Sequence, residues 1–177
     1  FLISMPHLHD RNFDHTVTYI CDHSEYGAMG IVVNRPMVLE LNELLQHLGL
    51  EITNDGSSKP VFAGGPVQCD RGFVLHSDDF LHEPATLVID EGLALTATKD
   101  ILEAMASTAP PRRSTLALGY AGWEAGQLED EIAANAWLIA EADETLVFGE
   151  DHDVKWAAAL KKIGVNPEFL TGASGHA

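Results

Sequence analysis

The stretch from Val61 to His76 reads strand, glycine turn, strand, and constrains this chain more than any other. Gly64, Gly65 and Gly72 bring bare backbone close to whatever packs or binds there, because no Cβ holds a neighbour off. The stretch carries Cys69, one of two cysteines, and Arg71, one of few arginines. No catalytic signature lies within it.

The strands implied on either side give a class. Phe1–Ser4, Thr16–Asp22, Ala28–Val33, Thr86–Ile89, Leu93–Thr96 and Thr115–Tyr120 are rich in apolar and β-branched residues, the composition of strands. The second and third pair as a hairpin around Ser24–Gly27. Leu41, Leu44, Leu45 and Leu48 recur at helical spacing, and Gly49 supplies a C-terminal stop. Further helices are expected from Thr98 to Ser107, from Glu124 to Ala134 and from Asp151 to Ile163. Trp137–Ala140 and Thr145–Phe148 read as short extended pieces. Hairpin neighbours mixed with strand–helix–strand units predict α+β with a mixed sheet rather than a doubly wound parallel one. A length of 177 residues predicts a single domain spanning 1–177.

Charge narrows the partners. Ten Lys+Arg against 27 Asp+Glu give −17, which repels nucleic acid and anionic lipid, both bound through phosphate neutralisation. Direct nucleic-acid binding is therefore not expected. No apolar run reaches the roughly 20 residues of a membrane span. The chain opens at Phe1 rather than methionine, so a few residues are expected upstream; Phe1–Met5 is too short for a signal peptide. Two cysteines are too few for a disulfide framework, and the cytoplasm is the expected compartment.

Three constellations invite chemistry. His7, His9 and Asp10, with Asp14 and His15 nearby, have metal donors or form a solvated polar loop. Cys69 and Arg71, two apart on a presumed strand, share one face, where the guanidinium would favour thiolate; the alternative is a cysteine acting as a small hydrophobe. Gly119-Tyr120-Ala121-Gly122-Trp123 leads from a strand into a helix N-terminus. It is a ligand mouth with an indole wall, or a tight turn with Trp123 plugging the core. There is no P-loop, no dinucleotide fingerprint and no nucleophile elbow. No catalytic residue is assigned, no metal site is predicted and no cofactor is implied.

Several motifs in order carry a resemblance. They are Met5-Pro6 with Asp10, Phe13 and Thr16-Val17; Gly27-Ala28-Met29-Gly30 through Asn34-Arg35-Pro36; Gly64-Gly65-Pro66-Val67; Arg71-Gly72-Phe73-Val74-Leu75-His76; and Gly119–Trp123 with Gly126-Gln127-Leu128-Glu129. Over nearly its whole length the chain resembles the AlgH/YqgE family of bacterial proteins. The resemblance implies an α+β fold whose mixed, bifurcated sheet curls into a partial barrel with flanking helices. Family members are labelled uncharacterised or transcriptional regulator, and no active site carries over. The expectation is a regulatory protein that binds a small anionic ligand or a protein partner. The candidate ligand-binding residues are Arg35, Gly64, Gly65, Arg71, Gly119, Tyr120, Gly122, Trp123 and Gln127. The alternatives are an enzyme with an active site around the Gly-Gly-Pro-Val and Arg-Gly-Phe-Val-Leu-His motifs, and a transcriptional regulator. The expected geometry is a cleft shared by Arg35, Arg71, Trp123 and the Gly64-Gly65 turn, unless each arginine pairs with an acid such as Asp70 or Glu124.

Overall fold

The computed structural model describes residues 1–5, 11–54, 58–90 and 92–170. In chain order its strands and helices are β1 (Leu2–Ser4), β2 (Val17–Ser24), β3 (Gly27–Val32), β4 (Pro36–Glu40), α1 (Leu41–His47), β5 (Pro60–Ala63), β6 (Val67–Ser77), β7 (Thr86–Asp90), β8 (Leu93–Thr96), α2 (Lys99–Ala106), β9 (Ser114–Glu124), α3 (Gln127–Ala133), β10 (Trp137–Ile139), α4 (Glu144–Phe148) and α5 (Lys155–Lys162). Single 3-10 turns precede and follow α5. The backbone groups into two compact units, residues 1–34 with 122–177, and residues 35–121.

In the second unit everything is arranged around β9. Strand β6 runs antiparallel along it, from His76 opposite Ser114 to Val67 opposite Tyr120. Strand β5 pairs with it in parallel, Phe62 opposite Ala117. Beyond β6 lie β8 and then β7; beyond β5 lies β4. The sheet is thus mixed, as the order of elements predicts, and it forks at β9, as the family resemblance implies. Helices α1 and α2 cover a core of Leu41, Leu45, Val61, Val74, Ile101, Met105 and Leu116. Gly49 closes α1 at φ +74, a left-handed position that glycine occupies without a Cβ clash. Thr98 does stand at the N-cap of α2, but its hydroxyl makes no capping bond.

Strands β5 and β6 are consecutive yet lie on different partners' edges of β9, so Gly64-Gly65-Pro66 must pass directly over that strand. A Cβ on Gly65 would stand 2.1 Å from the Tyr120 carbonyl carbon, and one on Gly64 2.4 Å from the Gly119 oxygen. No side chain fits such a backbone-on-backbone crossing. This is why the glycine pair sits where it does.

In the first unit β10, β1, β2 and β3 are hydrogen-bonded neighbours in that order, antiparallel from β10 through β3, with the end of β9 continuing the order. Trp156, Ala159 and Leu160 of α5 are buried, and Gly164 ends that helix at φ +77. The Lys155 ammonium is buried among them. It donates to the carbonyls of Val33 at 2.9 Å and Val147 at 3.1 Å, and burial lowers its pKa to about 8.

Three local expectations are corrected. Thr145–Phe148 is helical within α4, where the Asp143 carboxylate caps by accepting from the Thr145 amide at 2.8 Å. The segment Pro36–Glu40, where no strand was expected, forms β4. The third is the glycine-rich end of β9, which stays extended to Glu124 where a helix was expected to begin.

Candidate functional site

The register of β6 on β9 breaks opposite Gly119. Gly72 faces Leu118 and Val67 faces Tyr120, so Gln68, Cys69, Asp70 and Arg71 together oppose one residue. Such a bulge leaves strand geometry, and side chains inside it no longer alternate between faces. The face-sharing of Cys69 and Arg71 expected from an i, i+2 spacing therefore does not apply. Gly119 takes φ +79, and a Cβ there would meet the Gly65 oxygen at 2.4 Å and the Val67 oxygen at 3.0 Å. Gln68 accepts a left-handed φ of 48° without being glycine, a conformation that costs on the order of 1 kcal/mol and is held by the surrounding crossing.

The bulge presents Arg71 to solvent. Its guanidinium carbon lies 5.3 Å from the centre of the Phe73 ring, and Phe73 meets Tyr120 edge-on with centroids 5.4 Å apart. Its Nη1 donates to the Gln68 side-chain oxygen at a long 3.4 Å. Among the described residues Arg71 forms no ion pair, neither with Asp70 nor with Glu124. A guanidinium laid on a ring is held by cation–π attraction while its N–H fork stays available, the geometry that matches carboxylate or phosphate in bidentate fashion.

The exposed Cys69 thiol donates weakly to the carbonyls of Pro66 at 3.3 Å and Gly65 at 3.5 Å. His76 offers it no base. That imidazole is fully buried, with Nδ1 2.7 Å from the Ser77 carbonyl and Nε2 2.8 Å from the Thr96 hydroxyl. A carbonyl only accepts, so Nδ1 carries the proton and Nε2 receives the threonine hydrogen. Burial lowers the pKa of His76, which keeps it neutral.

Of the expected ligand-binding residues, the second unit holds Arg35, Gly64, Gly65, Arg71, Gly119 and Tyr120. It brings Gly64, Gly65, Gly119 and Tyr120 together at the strand crossing, and links Arg71 to Tyr120 through Phe73. Arg35 joins β5 by its carbonyl, which accepts from Ala63 at 2.9 Å. Gly122, Trp123 and Gln127 belong to the first unit. There Trp123 is a core residue. It is buried, stacks on Phe13 with centroids 6.2 Å apart and meets Trp137 edge-on at 5.9 Å. Its indole N–H donates to Glu131 at 2.6 Å, and Trp137 donates to the same oxygen at 3.2 Å. Gln127 accepts from the Glu124 amide at 2.9 Å and donates to Glu131 at 3.4 Å. Trp123 is the plug and not an open stacking wall. The helix N-terminus expected beside it is displaced, because β9 runs on to Glu124 and α3 begins only at Gln127.

Residues His7, His9 and Asp10 lie outside the described residues. Of their neighbours, His15 is bonded to Asp14 at 2.6 Å and packs on Trp156 with centroids 4.4 Å apart. Among the described residues no three His, Cys, Asp or Glu side chains gather as metal donors.

Sequence reasoning missed Phe73 and Gln68, the two residues that hold Arg71. Their signal was local: Phe73 follows Arg71 by two positions inside the recognised motif, but only the bulge turns ring and guanidinium toward one another. It also missed Glu131 as the shared acceptor of two indoles, although two tryptophans flank it at distances α3 can span.

The AlgH-like family model, DUF179, matches residues 1–168. A UPF0301 protein of Thioalkalivibrio sulfidiphilus is 50% identical over 177 residues, covering 100% of this chain and 95% of its own. One of Caulobacter vibrioides is 50% identical over 178 residues, covering 99% of this chain and 91% of its own. The solution structure of the AlgH protein from Pseudomonas aeruginosa superposes with a TM-score of 0.77 at 44% identity, covering 99% of this chain and 93% of that one. A crystal structure from Corynebacterium diphtheriae, 17% identical with a TM-score of 0.71, shares the fold alone.

Proposed function

Since the chain belongs to the AlgH-like family, whose members' names assign no reaction, we propose that it is a cytoplasmic regulatory protein that works by binding a small anionic ligand at Arg71. One observation carries the reading. In a chain with 27 acids, this guanidinium is exposed, stacked on Phe73 and free of any carboxylate among the described residues. Phe73, and the Tyr120 ring that meets it edge-on, complete its setting. An enzyme built on the same motifs has less behind it, because His76 is buried with both ring nitrogens engaged. The cytoplasmic assignment rests on two free thiols, Cys21 and Cys69. No helix among the described residues is long and apolar enough to cross a membrane.

Titration of isotopically labelled protein with inorganic phosphate and with citrate tests the reading. Amide shifts are expected around Gln68–Arg71, Gly119 and Tyr120. They should vanish in Arg71→Ala and weaken about tenfold in Arg71→Lys, which keeps the charge but loses the fork. Both variants should melt within a few degrees of the parent, since Arg71 is exposed. Shifts that persist in Arg71→Ala, or that centre elsewhere, would show that Arg71 is not the contact.

A further inference from the structure

His76 ends the motif that begins at Arg71, yet the anion site makes no use of its imidazole. The ring is fully buried and heads a chain of hydrogen bonds whose direction is fixed. The Ser77 carbonyl can only accept, so Nδ1–H donates to it at 2.7 Å. Nε2 then accepts from the Thr96 hydroxyl at 2.8 Å. The Thr96 oxygen receives the Thr86 hydrogen at 2.9 Å, and the Thr86 oxygen receives the His82 amide at 3.0 Å. One imidazole thus ties β6 to β8, and through β8 to β7 and to the loop 78–85 that leads into β7.

That loop and strand are the cover over the ring. Phe80 meets the imidazole edge-on with centroids 5.7 Å apart. The Thr86 amide donates to the His82 carbonyl at 2.9 Å, which closes the loop against the start of β7. Strand β7 pairs with β8 alone among the described residues, so its release leaves β8, β6 and β9 paired. The charges around the ring are these. From the loop, Asp79 bears on the imidazole, but it is held by the Ser77 hydroxyl and the Arg112 amide, with the Arg112 charge beside it. Arg113 meets Ser77 through its backbone. On the β9 side, Lys59 donates at 3.3 Å to the carbonyl of Ser114, the residue opposite His76. On α2, Asp100 pairs with His82 at 3.4 Å and Lys99 with Glu103 at 3.8 Å. Asp90 stands at the far end of β7, opposite Leu93.

We propose that the loop 78–85 and β7 form a proton-operated flap, closed over neutral His76 and opened when the imidazole takes up a proton. An imidazolium has two donors and no acceptor. Its Nε2–H faces the Thr96 oxygen, so the Thr96 hydrogen must turn to Thr86, and the Thr86 hydrogen loses its place in the chain. The charge also stands out of reach of water, a cost that hydration removes once Phe80 and β7 swing away. Burial outweighs the attraction of Asp79 and lowers the pKa of His76, so the closed flap keeps neutral a ring that the open flap lets protonate. His82 works the other way, because its protonated ring holds Asp100 more tightly and keeps the loop down.

Hydrogen exchange on the full chain, followed amide by amide and corrected for the intrinsic pH dependence of exchange, tests the flap. The opening equilibrium of the β7–β8 ladder should rise about tenfold from pH 7.5 to pH 5.5, one unit below the ordinary histidine value of about 6.5. The β6–β9 ladder should keep its protection. His76→Gln, which keeps a polar side chain but cannot titrate, should abolish the rise, and His82→Gln should retain it. Ring resonances of His76 in the parent give a readout independent of any variant: the closed form should stay neutral at pH 5.5. Equal opening at the two pH values, a rise spread evenly over the sheet, or a rise that survives in folded His76→Gln would each overturn the proposal. So would a rise lost in His82→Gln, or a His76 ring that becomes charged while the β7–β8 ladder stays protected.

Discussion

The two cysteines have opposite surroundings, and their chemistry should divide accordingly. Cys21 is buried in β2, and burial, aided by the charge of Asp22, pushes its thiol up to about 12. Cys69 is exposed on the bulge. Thiolate is the reacting form, and access decides whether it is reached. Iodoacetamide near neutral pH should therefore modify Cys69 in the folded protein and Cys21 only after denaturation; peptide mapping after timed labelling reads the order. Fast modification of Cys21 without unfolding would contradict the burial. Reactivity of Cys69 is then a matter of exposure and does not imply a nucleophile's role. Cys69→Ser should keep the melting temperature and the anion-induced shifts of the parent.

At the level of elements, α5 is fastened by its first residue. Lys155 ties it to the end of β3 through Val33 and to α4 through Val147. The pKa of that ammonium is lowered from the usual 10.5 to about 8 by burial. Below pH 8 the group is charged in folded and unfolded chains alike, and its desolvation cost is fully present. Between pH 8 and 10.5 the unfolded chain holds the extra proton, so this group's contribution to stability rises with pH. The neutral amine still donates to both carbonyls. Lys155→Met removes the titration, and it leaves Val33 and Val147 without this donor, at a cost of about 1–3 kcal/mol. Urea unfolding across that range should show the parent gaining on Lys155→Met as pH rises. Comparing the two cancels the opposite trend of Cys21, whose raised pKa makes stability fall above pH 9. A parent-minus-variant difference that is flat or falls with pH would be inconsistent with a buried, depressed amine.

For the molecule as a whole, charge sets the outlook. With −17 overall, contact with a polyphosphate brings repulsion in place of counterion release. Duplex DNA near physiological salt should bind no tighter than about 100 μM, at or beyond the weak end of non-specific binding. Anisotropy titration against promoter fragments and mixed-sequence duplex checks this. Sequence-dependent binding in the nanomolar range would restore a literal transcriptional regulator. A regulatory role exercised through a protein partner or a small anion is untouched by that result.

Much of the fold was legible from the chain alone, because the signals were local. Gly49 and Gly164 mark helix ends through a backbone angle that only glycine adopts cheaply. The apolar runs of β2 and β3 and the leucine spacing of α1 report burial on a fixed period. The motifs also sufficed to place the chain in its family. The site was legible only in part. Gly64 and Gly65 were rightly read as close backbone approach, yet that they cross over β9 follows from pairings with residues more than fifty positions away. Whether Trp123 lined a mouth or filled a core depended on Glu131, Trp137 and Phe13 meeting it. Arg71 could have paired with any of many acids; a four-residue bulge against Gly119 turned it onto Phe73 instead. Local backbone preference and periodicity are written in neighbouring residues. Register, bulges and the partner of a buried N–H are settled by contacts between distant segments, and these only the folded chain decides.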